Sequence, residues 1–161
     1  PAHAPLDAGV LTRRIDILYL GRAHTAADLV VHLPAENILV SGDLIVWPVP
    51  LFGSTSFPID YIATLEKLLT LKPALIVPGH GPVLRDDRYA RQMLTLLQAI
   101  ESQVRAAVAR GETLEAARKS VNLETFRTSF AGDSALKVLL FNSYVAGPGV
   151  ARAYQQISGR L

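Results

Sequence analysis

Three short polar motifs carry the side chains of this 161-residue chain best suited to chemistry: Gly21-Arg22-Ala23-His24-Thr25, Ser41-Gly42-Asp43 and Pro78-Gly79-His80-Gly81. Each directly follows an apolar run that reads as a strand. A His, an Asp and a His at the ends of three neighbouring strands can converge on one spot, and imidazole and carboxylate are metal-ligand groups. Taken singly, the signals differ. His24 follows a strand and a glycine turn, a rim position where binding groups gather, and a surface or structural role fits it as well. Asp43 stands in an apolar stretch, between Ile38-Leu39-Val40 and Leu44-Ile45-Val46. Desolvating a carboxylate costs several kcal/mol, so it needs a partner: a helix cap, a salt bridge or a metal ion. No Lys or Arg occurs between Arg22 and Lys67, which leaves a cation from elsewhere or a metal. His80 is flanked by Gly79 and Gly81, which permit unusual backbone angles and close approach. His32 falls in a strand alternation and reads as an ordinary strand residue. His3 lies in the lead-in and has no expected role. No HxHxD-type cluster occurs anywhere in the chain.

The elements that must position these groups are legible from periodicity. Arg14 to Leu20 and Asp28 to Leu33 read as strands, the second ended by Pro34, which cannot donate to a sheet ladder. Glu36-Asn37 turns into Ile38-Leu39-Val40, which predicts an antiparallel hairpin. Ala74 to Val77 is a fourth strand with no polar side chain, expected to be buried on both faces. Ile59, Ile62, Leu65, Leu68 and Leu69 recur at helical spacing, with Pro58 in the first turn and Pro73 beyond the end. A longer helix carries Tyr89, Met93, Leu96, Leu97, Ile100, Val104 and Val108 on one stripe and stops at Gly111. Thr113 caps a short helix to about Lys119. Asp133 is expected to cap another through Val145, interrupted by Gly147-Pro148-Gly149 before a last turn or two. The expected organisation is one partial domain over 1–161: a strand-rich part, 15–85, that carries the motifs, and a helical tail, 86–161.

Composition bounds the rest. Half the residues are hydrophobic, 19% are charged and the net charge is +2, a globular balance. The cations are scattered and no aromatics interleave with them, so no nucleic-acid partner is expected. With no cysteine there is no disulfide, thiolate ligand or Cys nucleophile. No apolar run approaches the ~20 residues that cross a bilayer, so no membrane association is expected. The compartment is not indicated. The chain opens at Pro1 and its single methionine is Met93, so it is expected to be a piece of a longer protein.

From about Ile15 to Arg85, motif order and spacing resemble the C-terminal half of the metallo-β-lactamase superfamily of hydrolases. Gly21 to Pro34 is similar to that family's third metal-ligand motif with its following strand, Ser41-Gly42-Asp43 to its bridging-aspartate motif, and Val77-Pro78-Gly79-His80-Gly81 to its last histidine motif. The resemblance implies an α/β fold, half of an αββα sandwich of mainly antiparallel strands followed by a helical tail. It also implies a site of one or two zinc ions, with iron or manganese as other fits. In it His24 binds the first metal, His80 the second, and Asp43 bridges them as the catalytic carboxylate. In such sites, with ions about 3.5–4 Å apart, a bridging water becomes hydroxide near neutral pH and attacks a carbonyl or phosphoryl centre.

The family's HxHxDH cluster belongs to an N-terminal half that this sequence does not contain. The chain is therefore expected to supply part of the site and to be inactive alone, while the intact protein hydrolyses a small-molecule ester, lactone or amide. The uncharged Leu44-Ile45-Val46-Trp47 run and the apolar Trp47 to Gly53 loop, with Phe57 beyond, point to a weakly polar substrate; these aromatics fit a core role equally. Half a sandwich would expose an apolar sheet face, so a partner is expected: the N-terminal half of the same protein or a second copy of this chain. The alternative is a non-catalytic half-domain acting as an association module.

Overall fold

The computed structural model describes residues 13–161. His3 and the Pro1–Gly9 lead-in lie outside the described residues. Four strands form one sheet in the order β1 (Asp16–Tyr19), β2 (Leu29–Leu33), β3 (Ile38–Val46) and β4 (Leu75–His80). The first three are antiparallel neighbours, and the tight turn at Glu36-Asn37 joins β2 to β3 as the hairpin pattern predicts. β4 runs parallel to β3. That pairing needs a crossover, supplied by helix α1 (Pro58–Thr70), with Pro58 in its first turn as expected. β4 is an edge strand: Ile76 is buried, but Leu75 and Val77 are only half-buried, against the expectation of burial on both faces.

Side chains alternate across the sheet. Leu18, Val30, Leu39 and Ile76 point to one face and are buried, packed with Leu65 and Leu68 of α1 and Met93, Leu97 and Ile100 of helix α2 (Arg88–Ala109) in a single apolar cluster. The remaining helices are α3 (Leu114–Ser120), α4 (Glu124–Ala131), α5 (Ala135–Phe141) and α6 (Gly147–Ile157), with a π-helical turn, Asn142–Ala146, between the last two. Thr113 caps α3, its hydroxyl accepting from the Ala116 N–H. Ser134, one residue beyond Asp133, caps α5 by accepting from the Lys137 N–H.

Gly147-Pro148-Gly149 does not break the helical path. Pro148 falls in the first turn of α6, where no N–H is needed, and the π turn absorbs the mismatch. Pro148 has no N–H to give the carbonyl four residues back, that of Tyr144. The Phe52 N–H donates to that carbonyl instead, at 2.9 Å. The helical tail is thereby tied to the loop that follows β3. Two further bonds secure it: the Arg152 guanidinium donates to the Ser56 carbonyl at 2.8 Å, and Gln156 Oε1 accepts the Ile59 N–H at 2.9 Å.

Candidate metal centre

His24 lies in the β1–β2 connection, which is fixed on every side. Gly21 adopts φ +143° with no room for a side chain: a Cβ there would lie 2.5 Å from Thr64 Oγ1. The Thr64 hydroxyl donates to the Arg22 carbonyl (2.9 Å), the Lys67 ammonium to the Leu20 carbonyl (2.8 Å), and the Phe57 N–H to the Ala23 carbonyl (2.7 Å). Asp28 accepts both the N–H and the hydroxyl of Thr25. The His24 ring is largely buried, and its Nδ1 is 3.1 Å from the Leu51 carbonyl. A carbonyl only accepts, so Nδ1 carries a proton, and in the neutral ring the lone pair is then on Nε2. That is the tautomer a metal-ligating imidazole needs, and an outer carbonyl is how such a tautomer is usually fixed.

Asp43 sits inside β3, not beyond a strand end as the motif pattern suggests. β3 continues through Ser41-Gly42-Asp43 to Val46, and its register with β4 shifts on both sides of Gly42. The shift re-aims a side chain within an otherwise regular strand. Its backbone is pinned from α1: the Tyr61 hydroxyl donates to the Leu44 carbonyl at 2.8 Å and contacts the Asp43 carbonyl at 3.2 Å. From α2, the Tyr89 hydroxyl donates to the Val46 carbonyl at 2.5 Å. Burial pushes both phenols well above their ordinary range, so they remain protonated donors.

His80 is the last residue of β4, and its carbonyl accepts the Trp47 N–H at 3.1 Å. The glycines beside it have different reasons. A Cβ on Gly79 would lie 2.1 Å from Asp43 Oδ1 and within 3 Å of the 42–43 backbone. A Cβ on Gly81, at φ +101°, would lie 2.7 Å from Trp47 Cβ. Gly79 leaves space for the carboxylate, and Gly81 for the tryptophan.

The three predicted residues are brought together. His24 Nε2 is 3.9 Å from Asp43 Oδ2, and His80 Nε2 is 3.5 Å from Asp43 Oδ1. Each imidazole thus faces a different oxygen of one carboxylate. Among the described residues no Lys or Arg lies within ion-pair distance of Asp43. Among those residues, too, no group of three or more His, Cys, Asp or Glu side chains is arranged to hold a metal ion by itself. The donor chemistry, two imidazoles and a shared carboxylate, suits zinc and related divalent ions, and the His24 tautomer agrees with it. His32 is a β2 residue opposite Leu39 and Asp16, as expected, and its Nε2 has no hydrogen-bond partner among the described residues. The aromatics after β3 divide: Phe52 is core, edge-on to Tyr61 at 5.8 Å, while Trp47 is exposed beside His80.

Sequence reasoning missed two contributors. The Leu51 carbonyl carries no side-chain signal. Tyr144 belongs to a segment whose only cue is Pro148, four residues on.

Residues 4–80 match the family model of the metallo-beta-lactamase superfamily. A metallo-beta-lactamase from Pontibacter korlensis is similar in structure, with 24% identity and a TM-score of 0.53 over 60% of this chain and 46% of that one. The DIM-1 metallo-beta-lactamase aligns with 21% identity and a TM-score of 0.51 over 61% of this chain and 46% of that one. The chain spans a little under half the length of each, and the shared feature is the fold. With the motif order and the sheet described above, residues 4–80 are similar to the metallo-beta-lactamase superfamily, and the chain carries part of that fold.

Proposed function

We propose that His24, Asp43 and His80 are the share this chain contributes to the metal centre of a hydrolase, with zinc as the ion, one or two in number, and iron or manganese as other fits. The observation that carries this reading is the pair of imidazoles facing opposite oxygens of Asp43, with no lysine or arginine among the described residues to satisfy that carboxylate. His24 and His80 would each bind through Nε2, and Asp43 would serve both sides. A bound divalent ion supplies Lewis acidity and activates water at neutral pH. The chain's own groups do the positioning: Leu51 holds the His24 tautomer, Gly79 admits the carboxylate, and Tyr61 and Tyr89 fix the β3 backbone from behind. The substrate class that fits is a small ester, lactone or amide of low charge, since the residues after Asp43 are Leu44, Ile45, Val46 and Trp47.

The test is equilibrium dialysis of the chain against micromolar zinc, with bound metal read by mass spectrometry. Retention by the wild type and its loss in the His24→Ala/His80→Ala double variant is the expected result. Equal zinc in both, or none in either, defeats the reading that these residues hold the ion in this chain.

A second reading is a half-domain whose role is association. One observation favours it: Tyr19, Leu29 and Val40, on the sheet face opposite the helices, are exposed. The occupants that fit this face are the remainder of the fold, supplied by the N-terminal half of the same protein, and a second copy of the chain. Association retained with zinc unaffected by the histidine substitutions would favour this reading over the first.

A further inference from the structure

Beside His80 opens a pocket of about 340 Å3 whose surface is mostly apolar, within the size range of small-molecule sites. Its near wall is Val46, Trp47 and Val49, from the end of β3 and the loop after it. Its far wall is Leu140 of α5 and Tyr144 of the π turn. Those two residues lie outside the 4–80 stretch shared with the family model, so the far wall is a feature of this chain's helical tail. No Asp or Glu lines the pocket. Lys137, which does not line the pocket, has its ammonium 5.5 Å from the centre of the Trp47 ring.

The two walls are held in register by one peptide unit. The Leu51 carbonyl accepts from His24 Nδ1, and the N–H of the same unit, that of Phe52, donates to the Tyr144 carbonyl. Phe52 is itself locked in the core: a Cβ on Gly149 of α6 would lie 3.0 Å from its ring. Tyr144 is therefore fixed relative to His24, while 44% of its surface and 38% of that of Trp47 remain exposed. Exposed aromatics held in place around an apolar hollow, with a candidate ligand residue on the rim, describe a substrate subsite and not a packing defect.

We propose that this pocket receives an apolar phenyl or branched-alkyl group of the substrate, with the carbonyl to be cleaved directed toward His80 and Asp43. Leu140 and Tyr144 set the size of that group. The substrate class narrows from small neutral esters, lactones or amides to those bearing a bulky apolar substituent next to the reacting carbonyl. The assignment rests on the hydrolase reading for the direction of the carbonyl, but the pocket's affinity for the apolar group does not.

Trp47 is the only tryptophan of the chain, so its emission reports occupancy of the pocket directly. The full chain is titrated with phenylacetamide, and with acetamide as the control lacking the ring, with and without zinc. The expected result is a saturable change in Trp47 emission with phenylacetamide and none with acetamide. Half-saturation should weaken about tenfold in Leu140→Ala and in Tyr144→Ala, the scale of losing one aromatic or aliphatic wall. Leu136→Ala, on α5 outside the pocket, should leave it unchanged. A response that neither Leu140→Ala nor Tyr144→Ala alters places binding elsewhere and overturns the proposal. Emission that ignores phenylacetamide but changes on dilution of the chain assigns the pocket to a second copy and also overturns it. Zinc dialysis reads the metal assignment separately, so failure of one leaves the other standing.

Discussion

At the scale of single residues, the candidate site depends as much on what is absent as on His24, Asp43 and His80. Gly79 and Gly81 flank His80 symmetrically in sequence, yet they protect different neighbours. An alanine at 79 would put its Cβ 2.1 Å from the Asp43 carboxylate, displacing it, and against backbone at 2.8 and 2.9 Å, which cannot yield cheaply. An alanine at 81 would meet Trp47 at 2.7 Å and would also force φ +101° on an L side chain. Both substitutions should cost about 1–3 kcal/mol of stability by overpacking. Their effects on the site should separate. Gly79→Ala should abolish zinc retention in dialysis, and Gly81→Ala should keep it while changing Trp47 emission. Equal zinc retention in the two variants would show that the space beside Asp43 does not matter. The candidate residues themselves were legible in the sequence, Asp43 because a carboxylate in an apolar run with no nearby cation demands a partner. The Leu51 carbonyl that selects the His24 tautomer was not legible, since backbone atoms are the same at every position and only the fold aims them.

At the scale of elements, periodicity located β1, β2, β4 and the helices α1 and α2 to within a few residues and the start of β3, while the Thr113 cap marked α3. It failed where tertiary contacts decide. β3 runs through Ser41-Gly42-Asp43 because its neighbour β4 and two buried tyrosines hold it, a constraint that local pattern does not encode. Helix α4 was missed because its sequence, Glu124 to Ala131, buries only Phe130 and Ala131 and so shows little periodicity. The tyrosines yield a test. Burial raises the Tyr61 and Tyr89 phenols above the ~10 of an unfolded chain. Between the unfolded and folded values the unfolded chain has released protons that the native chain still holds, so unfolding free energy falls as pH rises. The contribution is complete below about pH 10 and is lost on going more alkaline. Tyr61→Phe should therefore lower stability at neutral pH by about 1–2 kcal/mol, through the unpaired Leu44 carbonyl. It should also flatten the alkaline decline, leaving the part due to Tyr89. Denaturant unfolding from pH 7 to 11 measures both, and an unchanged alkaline slope would remove Tyr61 as its source.

At the scale of the whole molecule, the sheet has one finished face and one open one. Leu18, Val30, Leu39 and Ile76 are covered by helices, whereas the alternate set, Ile17, Tyr19, Leu29, Val31, Val40 and Val77, runs across all four strands with no helix among the described residues packed on it. Strand register makes this set contiguous: Ile17 pairs with Val31, Val31 with Val40, and Val40 with Val77. Within it Tyr19, Leu29 and Val40 are exposed, and hydrophobic burial is the force that would close such a face. The open face was expected from the resemblance to half a sandwich, whereas the apolar runs place such residues on both sides of the strands and cannot say which side is covered. Val40 is the central position, and replacing it by Glu places a charge where any covering surface must desolvate it. Sedimentation equilibrium at micromolar concentration should show the wild-type chain associated and Val40→Glu shifted toward monomer, with the Trp47 response to phenylacetamide intact because Val40 is not part of that pocket. A wild-type chain that sediments as a clean monomer would mean that this face needs no cover. The same run on the His24→Ala/His80→Ala double variant then separates the two proposed roles: association unchanged in that variant would assign the sheet face to assembly independently of the residues proposed to hold zinc.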